Sequence, residues 1–339
     1  MSDFVSILSK VATGAYLNQV EARSAFETIM SGGASTEQTA AFLMGLRVRG
    51  EHVDEITAGA EVMRAKASHI NAPINSVDTC GTGGTGISTY NISTASAFVT
   101  VAAGIPVAKH GNRAASSKSG SADVLEALGA KLEISMEAVQ RSLDETGFSF
   151  LFARAHHSAM RFVAPVRTSI KVQTIFNLLG PLSNPAQAKR QILGVFDPKW
   201  QRPMAEVLKN LGSEHVWVVH GEDGMDEITT TGKTHIVELK NGQISEFDIT
   251  PEDVGLTRAT LEDLKGDDAE YNAAAITMLF DGKKSAFRDI VLMNTGAALL
   301  VGNKVQSLQD GVTMAASIID SGKAKAKLAE WVEFTQTHS

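Results

Sequence analysis

The sequence predicts an α/β protein with a mostly parallel central sheet, preceded by an all-helical segment. Three observations carry this. Residues 1–66 show helical patterns only. Beyond Asn71-Ala72-Pro73, short β-rich stretches alternate with helical ones, the order that yields a parallel sheet with helices on its faces. Polar, glycine-containing loops follow two of the early strands, where open parallel sheets hold their ligands.

The elements follow in order. Residues 21–30 are amphipathic and stop at Gly32-Gly33. Ser35 caps a second helix with Gln38 three residues on, the spacing of a capping box. Asp54 is the expected cap of a third helix that runs to about Lys66. Strands are expected at residues 77–79, 105–108, 148–152, 192–196 and 215–219, with helices at 93–103, 122–128, 136–145 and 203–211 between them. Residues 156–182 read as helix again, positioned to rejoin the N-terminal helices. Residues 229–249 read as a hairpin turning at Asn241-Gly242, and the chain is mostly helical from Tyr271 onward.

Composition excludes several classes. A net charge of −7 argues against general nucleic-acid binding, which needs basic surfaces. The single cysteine, Cys80, excludes an intrachain disulfide and a cysteine-cluster zinc site, and suits a reducing cytoplasm. The N-terminus MSDFVSILSK lacks the long apolar core of a secretory signal. No apolar run reaches the ~20 residues that span a bilayer.

Against the acidic whole, residues 79–122 contain no Asp or Glu, yet carry seven glycines and the cations Lys109, Arg113 and Lys118. Backbone N–H groups, hydroxyls and ammonium groups bind oxyanions, and a carboxylate among them would repel one. This is the composition of a pocket for a phosphorylated, multiply anionic small molecule. Gly81-Thr82-Gly83-Gly84-Thr85-Gly86 fits G-x-G-x-x-G, but no acid lies between Asp78 and Asp123 to hold a ribose, which disfavours a dinucleotide. A phosphorylated nicotinamide held by Arg113 and a plain strand-to-helix turn are the other readings of that hexapeptide. Asn91-Ile92-Ser93-Thr94 places Ser93 or Thr94 at a helix N-terminus, where free N–H groups favour anions. Lys109-His110-Gly111-Asn112-Arg113 follows the next strand, and Ser116 to Ser121 are expected to converge on the same site.

Asp226-Glu227 read equally as a Mg²⁺ site or as a solvated acidic loop. The run from Asp226 to Gly232 has some likeness to the phosphoribosyl-binding loop of another transferase class, without the apolar strand that should directly precede it. His156 and His157 cannot share a helix face, so one of them lines a pocket rather than both binding a metal. Arg167 is the cation of its segment best suited to a carboxylate.

Together GTGG at 81–84, NIST at 91–94, KHGNRAASSKSGSADVLEALG at 109–129, HH at 156–157, TIFNLLGPLSNP at 174–185 and DE at 226–227 resemble the anthranilate phosphoribosyltransferase family, in order and over almost the whole chain. The resemblance implies the nucleoside phosphorylase/phosphoribosyltransferase type of fold. A small helical domain (1–70 with 162–188) would join a larger α/β domain (71–161 with 189–339), and the helical domains would form a homodimer. It implies transfer of a phosphoribosyl group from 5-phosphoribosyl 1-pyrophosphate to anthranilate. The donor would lie at Gly81, Gly83, Gly84, Thr89, Asn91, Ser93, Thr94, Lys109 and Ser121. Anthranilate would lie near Gly81, His110, Asn112, His157 and Arg167, and Mg²⁺ at Ser93, Asp226 and Glu227.

Two positions depart from the family pattern. Thr85 stands where GTGGDG has its acid, and Lys171-Val172-Gln173 replace a Gly-x-Arg. They keep open a non-catalytic ligand-binding paralogue, and the nearest enzymatic rival is a pyrimidine nucleoside phosphorylase.

Overall fold

The computed structural model describes residues 4–114 and 118–338; of the expected site residues, Ser116 and Ser117 lie outside them. Four helices open the chain: α1 (Phe4–Ala12), α2 (Gln19–Met30), α3 (Thr36–Arg49) and α4 (Val53–Ala65). Ser35 and Gln38 form the expected capping box of α3. Asp54 is not the cap of α4. His52 takes that place, its backbone N–H bonded by Glu55 at 2.9 Å, while Asp54 falls in the first turn, where its charge suits the helix dipole.

A seven-stranded sheet follows, in the order β3-β2-β1-β4-β5-β6-β7. Its strands are β1 (Val77–Gly81), β2 (Val107–Gly111), β3 (Phe148–Phe152), β4 (Arg190–Gly194), β5 (His215–Gly221), β6 (Thr234–Lys240) and β7 (Gln243–Ile249). The first five in chain order pair in parallel, and β5-β6-β7 run antiparallel. β1 and β2 extend further toward the loops than expected, which carries Gly81 and Lys109 to Gly111 to the sheet edge. β3 is buried at every position, as a strand covered on both faces must be. The turn between β6 and β7 is Asn241-Gly242, with φ of 51° and 79°.

Helices α5 (Ile92–Ala102), α6 (Ser121–Ala127), α7 (Met136–Thr146) and α11 (Gln201–Asn210) connect the strands. The expected single helix at 156–182 is broken into α8 (Ala153–His156), a 3₁₀ turn at Ser158–Phe162, α9 (Ala164–Ile170) and α10 (Ile175–Leu182). Lys171 in the left-handed region at φ 52° ends α9 and turns the chain. The C-terminal helices are α12 (Ala269–Phe280), α13 (Ala286–Val301), α14 (Leu308–Asp320) and α15 (Lys323–Thr337). No helix is long and apolar enough to cross a membrane, among the described residues.

The sheet separates two main cores. On one face Val77, Val107, Ile192, Trp217 and Val219 pack with α5, α13 and α15. On the other, Leu193, Val216, Val218 and Leu239 join α11 to the helices α1–α4, α9 and α10. The fold is thus a small helical part, with the α9–α10 return packed into it, against a larger α/β part.

Candidate active site

The carboxyl ends of the parallel strands lie along one edge, and the polar loops after them supply the site. Lys109 near the end of β2 is almost fully buried and donates to the Thr79 carbonyl and, at 3.2 Å, to Ser93 Oγ. Burial pushes its ammonium below the usual lysine value, opposed by the charge of Asp78. Ser93 stands in the first turn of α5. Its N–H donates to Glu227 Oε1 at 3.2 Å. The Gly83 N–H donates to Asp226 Oδ2 at 2.8 Å. One lysine, one hydroxyl, two carboxylates and the start of a helix therefore meet where β1, β2 and β5 end.

The acidic loop comes this close because two strand ends carry glycine. A Cβ at Gly194 would overlap the Asp226 carbonyl, and one at Gly81 would overlap its carboxylate. Burial, and then the neighbouring Asp226 charge, push Glu227 up to about 8. Asp226 is raised as well, by burial. Two partly desolvated carboxylates side by side, with the Ser93 hydroxyl beside them, are the hard oxygen donors a Mg²⁺ ion takes from protein. The donor set fits that ion, with substrate phosphates and water completing its shell.

Asn91 occupies the N-cap position of α5 without bonding the helix from its side chain. Its side chain is spent on the loop at Ser119 and on Asn272 (2.8 Å) of α12. Thr94 is buried one residue beyond Ser93 and its hydroxyl has no protein partner. Thr89 forms an isolated antiparallel bridge to Lys265. Gly84 faces the Gln173 amide, so the glycine turn touches the segment between α9 and α10. The Thr85 hydroxyl accepts the Ile87 N–H at 3.2 Å, a turn bond that an acid could also make. Ser121 starts α6, and its hydroxyl donates to the Asn112 carbonyl at 3.3 Å.

The imidazoles of His110 and His157 meet Nε2 to Nε2 at 3.2 Å, both buried. His110 is anchored by its backbone N–H to Asp78 at 3.2 Å. Burial lowers His157 to about 4 and His110 well below its usual value, so both are neutral near pH 7. Arg167 is half-buried, lies over the Phe176 ring at 6.0 Å, and has no ion pair among the described residues.

Two expected cations of the pocket are spent elsewhere. Arg113 is not available to a phosphate: its guanidinium clamps Glu126 and Asp123. Lys118 pairs with Asp267 at 2.6 Å on the surface. The threonines after Glu227 serve the loop itself. Thr229 and Thr230 are buried, and the Thr229 hydroxyl bonds Asp223 at 2.6 Å.

Residues 5–67 match the helical bundle domain of a glycosyl transferase family, and residues 74–325 match the α/β domain of the same description. The chain is 58% identical over 335 residues to the anthranilate phosphoribosyltransferase of Parvibaculum lavamentivorans, covering 99% of this chain and 98% of that one. It is 55% identical to that of Azorhizobium caulinodans, with 99% and 98% covered. The crystal structure of the Thermus thermophilus enzyme superposes with a TM-score of 0.93 at 44% identity, over 97% of this chain and 99% of that one. The chain belongs to the anthranilate phosphoribosyltransferase family.

As a member of a glycosyltransferase family it is an enzyme, and the alternative of a non-catalytic paralogue falls away. A further structure at 25% identity and TM-score 0.90, covering 98% of both chains, is the Saccharomyces cerevisiae anthranilate phosphoribosyltransferase in complex with phosphoribosyl pyrophosphate and Mg. Several residues that shape the family site here escaped the sequence reading. Gly194 gave the signal of a glycine at a strand end. Asp78 sits buried in β1, bonding Asn184 at 2.8 Å and the His110 N–H; a charge inside an expected strand was its signal. Asn272 and Thr79 gave none.

Proposed function

We propose that this chain transfers the phosphoribosyl group of 5-phosphoribosyl 1-pyrophosphate to the amine of anthranilate, releasing pyrophosphate, as a step of tryptophan biosynthesis. The observation that carries the reading is the meeting of Lys109, Ser93, Asp226 and Glu227 at the N-terminus of α5. The names of the relatives supply the substrates.

The amine of anthranilate is a neutral aromatic amine and attacks without prior deprotonation. In the reaction the bond from the anomeric carbon to the pyrophosphate oxygen breaks and a carbon–nitrogen bond forms. The amine then gives up one proton. Mg²⁺ held by Asp226, Glu227 and Ser93 would neutralise charge on the leaving pyrophosphate. Lys109 and the N-terminal dipole of α5 add fixed positive potential at the same place. The glycine turn at Gly81, Gly83 and Gly84, with Thr89, Asn91, Thr94 and Ser121, would surround the donor. His110 and His157, both neutral, offer hydrogen bonds without attracting a second anion. Asn112, two residues beyond His110, would adjoin the acceptor, and Arg167 would face its carboxylate.

We take residues 1–70 with 162–188 as a helical domain and 71–161 with 189–339 as the α/β domain. The packing of α9 against α3 and of α10 against α4 supports the first. A cytoplasmic homodimer through the helical domains completes the reading. Exposed Val5, Tyr16, Val20 and Val48 on or beside α1–α3 support that face.

The test is the loss of anthranilate fluorescence on adding donor and Mg²⁺ to purified protein. Consumption should require both. Equal rates in the presence of a chelator, or phosphorolysis of uridine or thymidine instead, would reject the assignment.

A further inference from the structure

The acids Asp226 and Glu227 lie on a loop, and a loop alone does not hold two carboxylates to the tolerance an ion requires. The residue after them is held by a buried amide. The Ile228 N–H donates to Asn294 Oδ1 at 3.1 Å, and the Ile228 carbonyl accepts from Asn294 Nδ2 at 2.8 Å. One amide side chain thereby takes the place of a neighbouring strand, satisfying both backbone groups of a single residue. A third bond, from Nδ2 to the Ile290 carbonyl at 2.9 Å, ties the amide to its own helix. These partners fix which amide atom is oxygen, because Ile228 needs an acceptor and a donor in that order.

Asn294 is 3% exposed in the middle of α13, after the apolar run Ile290 to Met293. A buried amide is costly there unless fully bonded. It lines the same small recess as Glu227, Ser93 and Thr79. From below, then, α13 holds the acidic loop at Ile228. From the side, Asp223 accepts the hydroxyls of Thr229 (2.6 Å) and Thr231 (2.5 Å) and closes the loop on itself.

We propose that Asn294 is the positioning residue that sets the Asp226 and Glu227 carboxylates for a divalent cation. The proposal rests on the metal reading above. Asn294 acts through the Ile228 backbone.

The test uses the full-length protein and Mn²⁺, whose free-ion electron paramagnetic resonance signal falls on binding. Uptake is measured in the presence of phosphoribosyl pyrophosphate, over that of the donor alone. Asn294→Ala is expected to weaken Mn²⁺ uptake roughly 10- to 100-fold, the usual effect of losing an outer partner of a metal ligand. Asn294→Ser, which keeps a polar group at the position but cannot reach both Ile228 backbone groups, carries the test if the alanine variant does not fold. Leu299→Ala, buried further along α13, should lower the thermal midpoint without changing Mn²⁺ uptake. The Asp226→Ala/Glu227→Ala double variant separates the two readings: wild-type uptake in it rejects the metal site itself. If that variant loses uptake while both Asn294 variants keep it, the role of Asn294 is overturned. It is equally overturned if Leu299→Ala weakens Mn²⁺ as much as Asn294→Ala does.

Discussion

Arg167 combines partial burial with the lack of an ion pair among the described residues, and burial holds its pKa below the usual value. A guanidinium kept this way gains from a carboxylate arriving with the substrate. Loss of one charge-assisted contact costs about 1.5–3 kcal/mol, or one to two decades in affinity. Arg167→Ala should therefore raise the anthranilate KM by that much and leave the donor KM nearly unchanged. A rise in the donor KM instead would move Arg167 to the phosphate site. His157 makes a prediction in pH. Burial, followed by the charge of His156, lowers its folded pKa from 6.5 to about 4. The unfolded chain binds the proton first, so the contribution to stability is full above 6.5 and is lost as pH falls toward 4. In thermal melts across that window, His157→Gln should show a shallower acid loss than the native protein. Parallel slopes would mean that His157 titrates normally.

At the scale of elements, the strands and the helix starts were legible because their signals are local. FSFLF at 148–152 is an apolar run, and Ser35 with Gln38 is a short-range cap. The order of strands was not legible. Asp226-Glu227 reaches the glycine turn of β1 only because β4 is inserted between β1 and β5 and ends in Gly194, an arrangement no local pattern encodes. Asp54 reads as a cap because the rule favours its residue type, while His52 holds the place through the reciprocal bond from Glu55. Asn294 escaped because its partner is a backbone, although a lone amide within VLMNTGAALL was a usable signal. The end of α9 carries a stability prediction. Lys171 occupies the left-handed region, where a side chain costs roughly 1 kcal/mol and glycine does not. Lys171→Gly should raise the denaturant midpoint by about that energy, reduced by the extra entropy of the unfolded glycine chain. A lower midpoint would show that the lysine gains something from its neighbours that offsets the strain.

For the whole molecule, the decisive surface is that of the helical part. Four of the nine large exposed hydrophobics among the described residues, Val5, Tyr16, Val20 and Val48, fall on or beside the first three helices, whereas the others are spread over a far longer stretch of chain. Val20 and Val48 are 77% and 83% exposed, although α1 packs against both α2 and α3. In the proposed dimer these positions form the association face, and a second copy of the chain would bring the same face to it under two-fold symmetry. Lys109, Ser93, Asp226 and Glu227 come together within one chain, so losing the partner should leave their chemistry in place. Val20→Asp/Val48→Asp should therefore sediment at the mass of one chain while retaining most of the turnover per chain. Both substitutions are at exposed positions, so the thermal midpoint should fall only by what the dimer itself contributed, and that part should depend on protein concentration in the native protein alone. Sedimentation of the native protein as a single chain would remove the dimer. A double variant that sediments like the native dimer would instead move the interface away from Val20 and Val48.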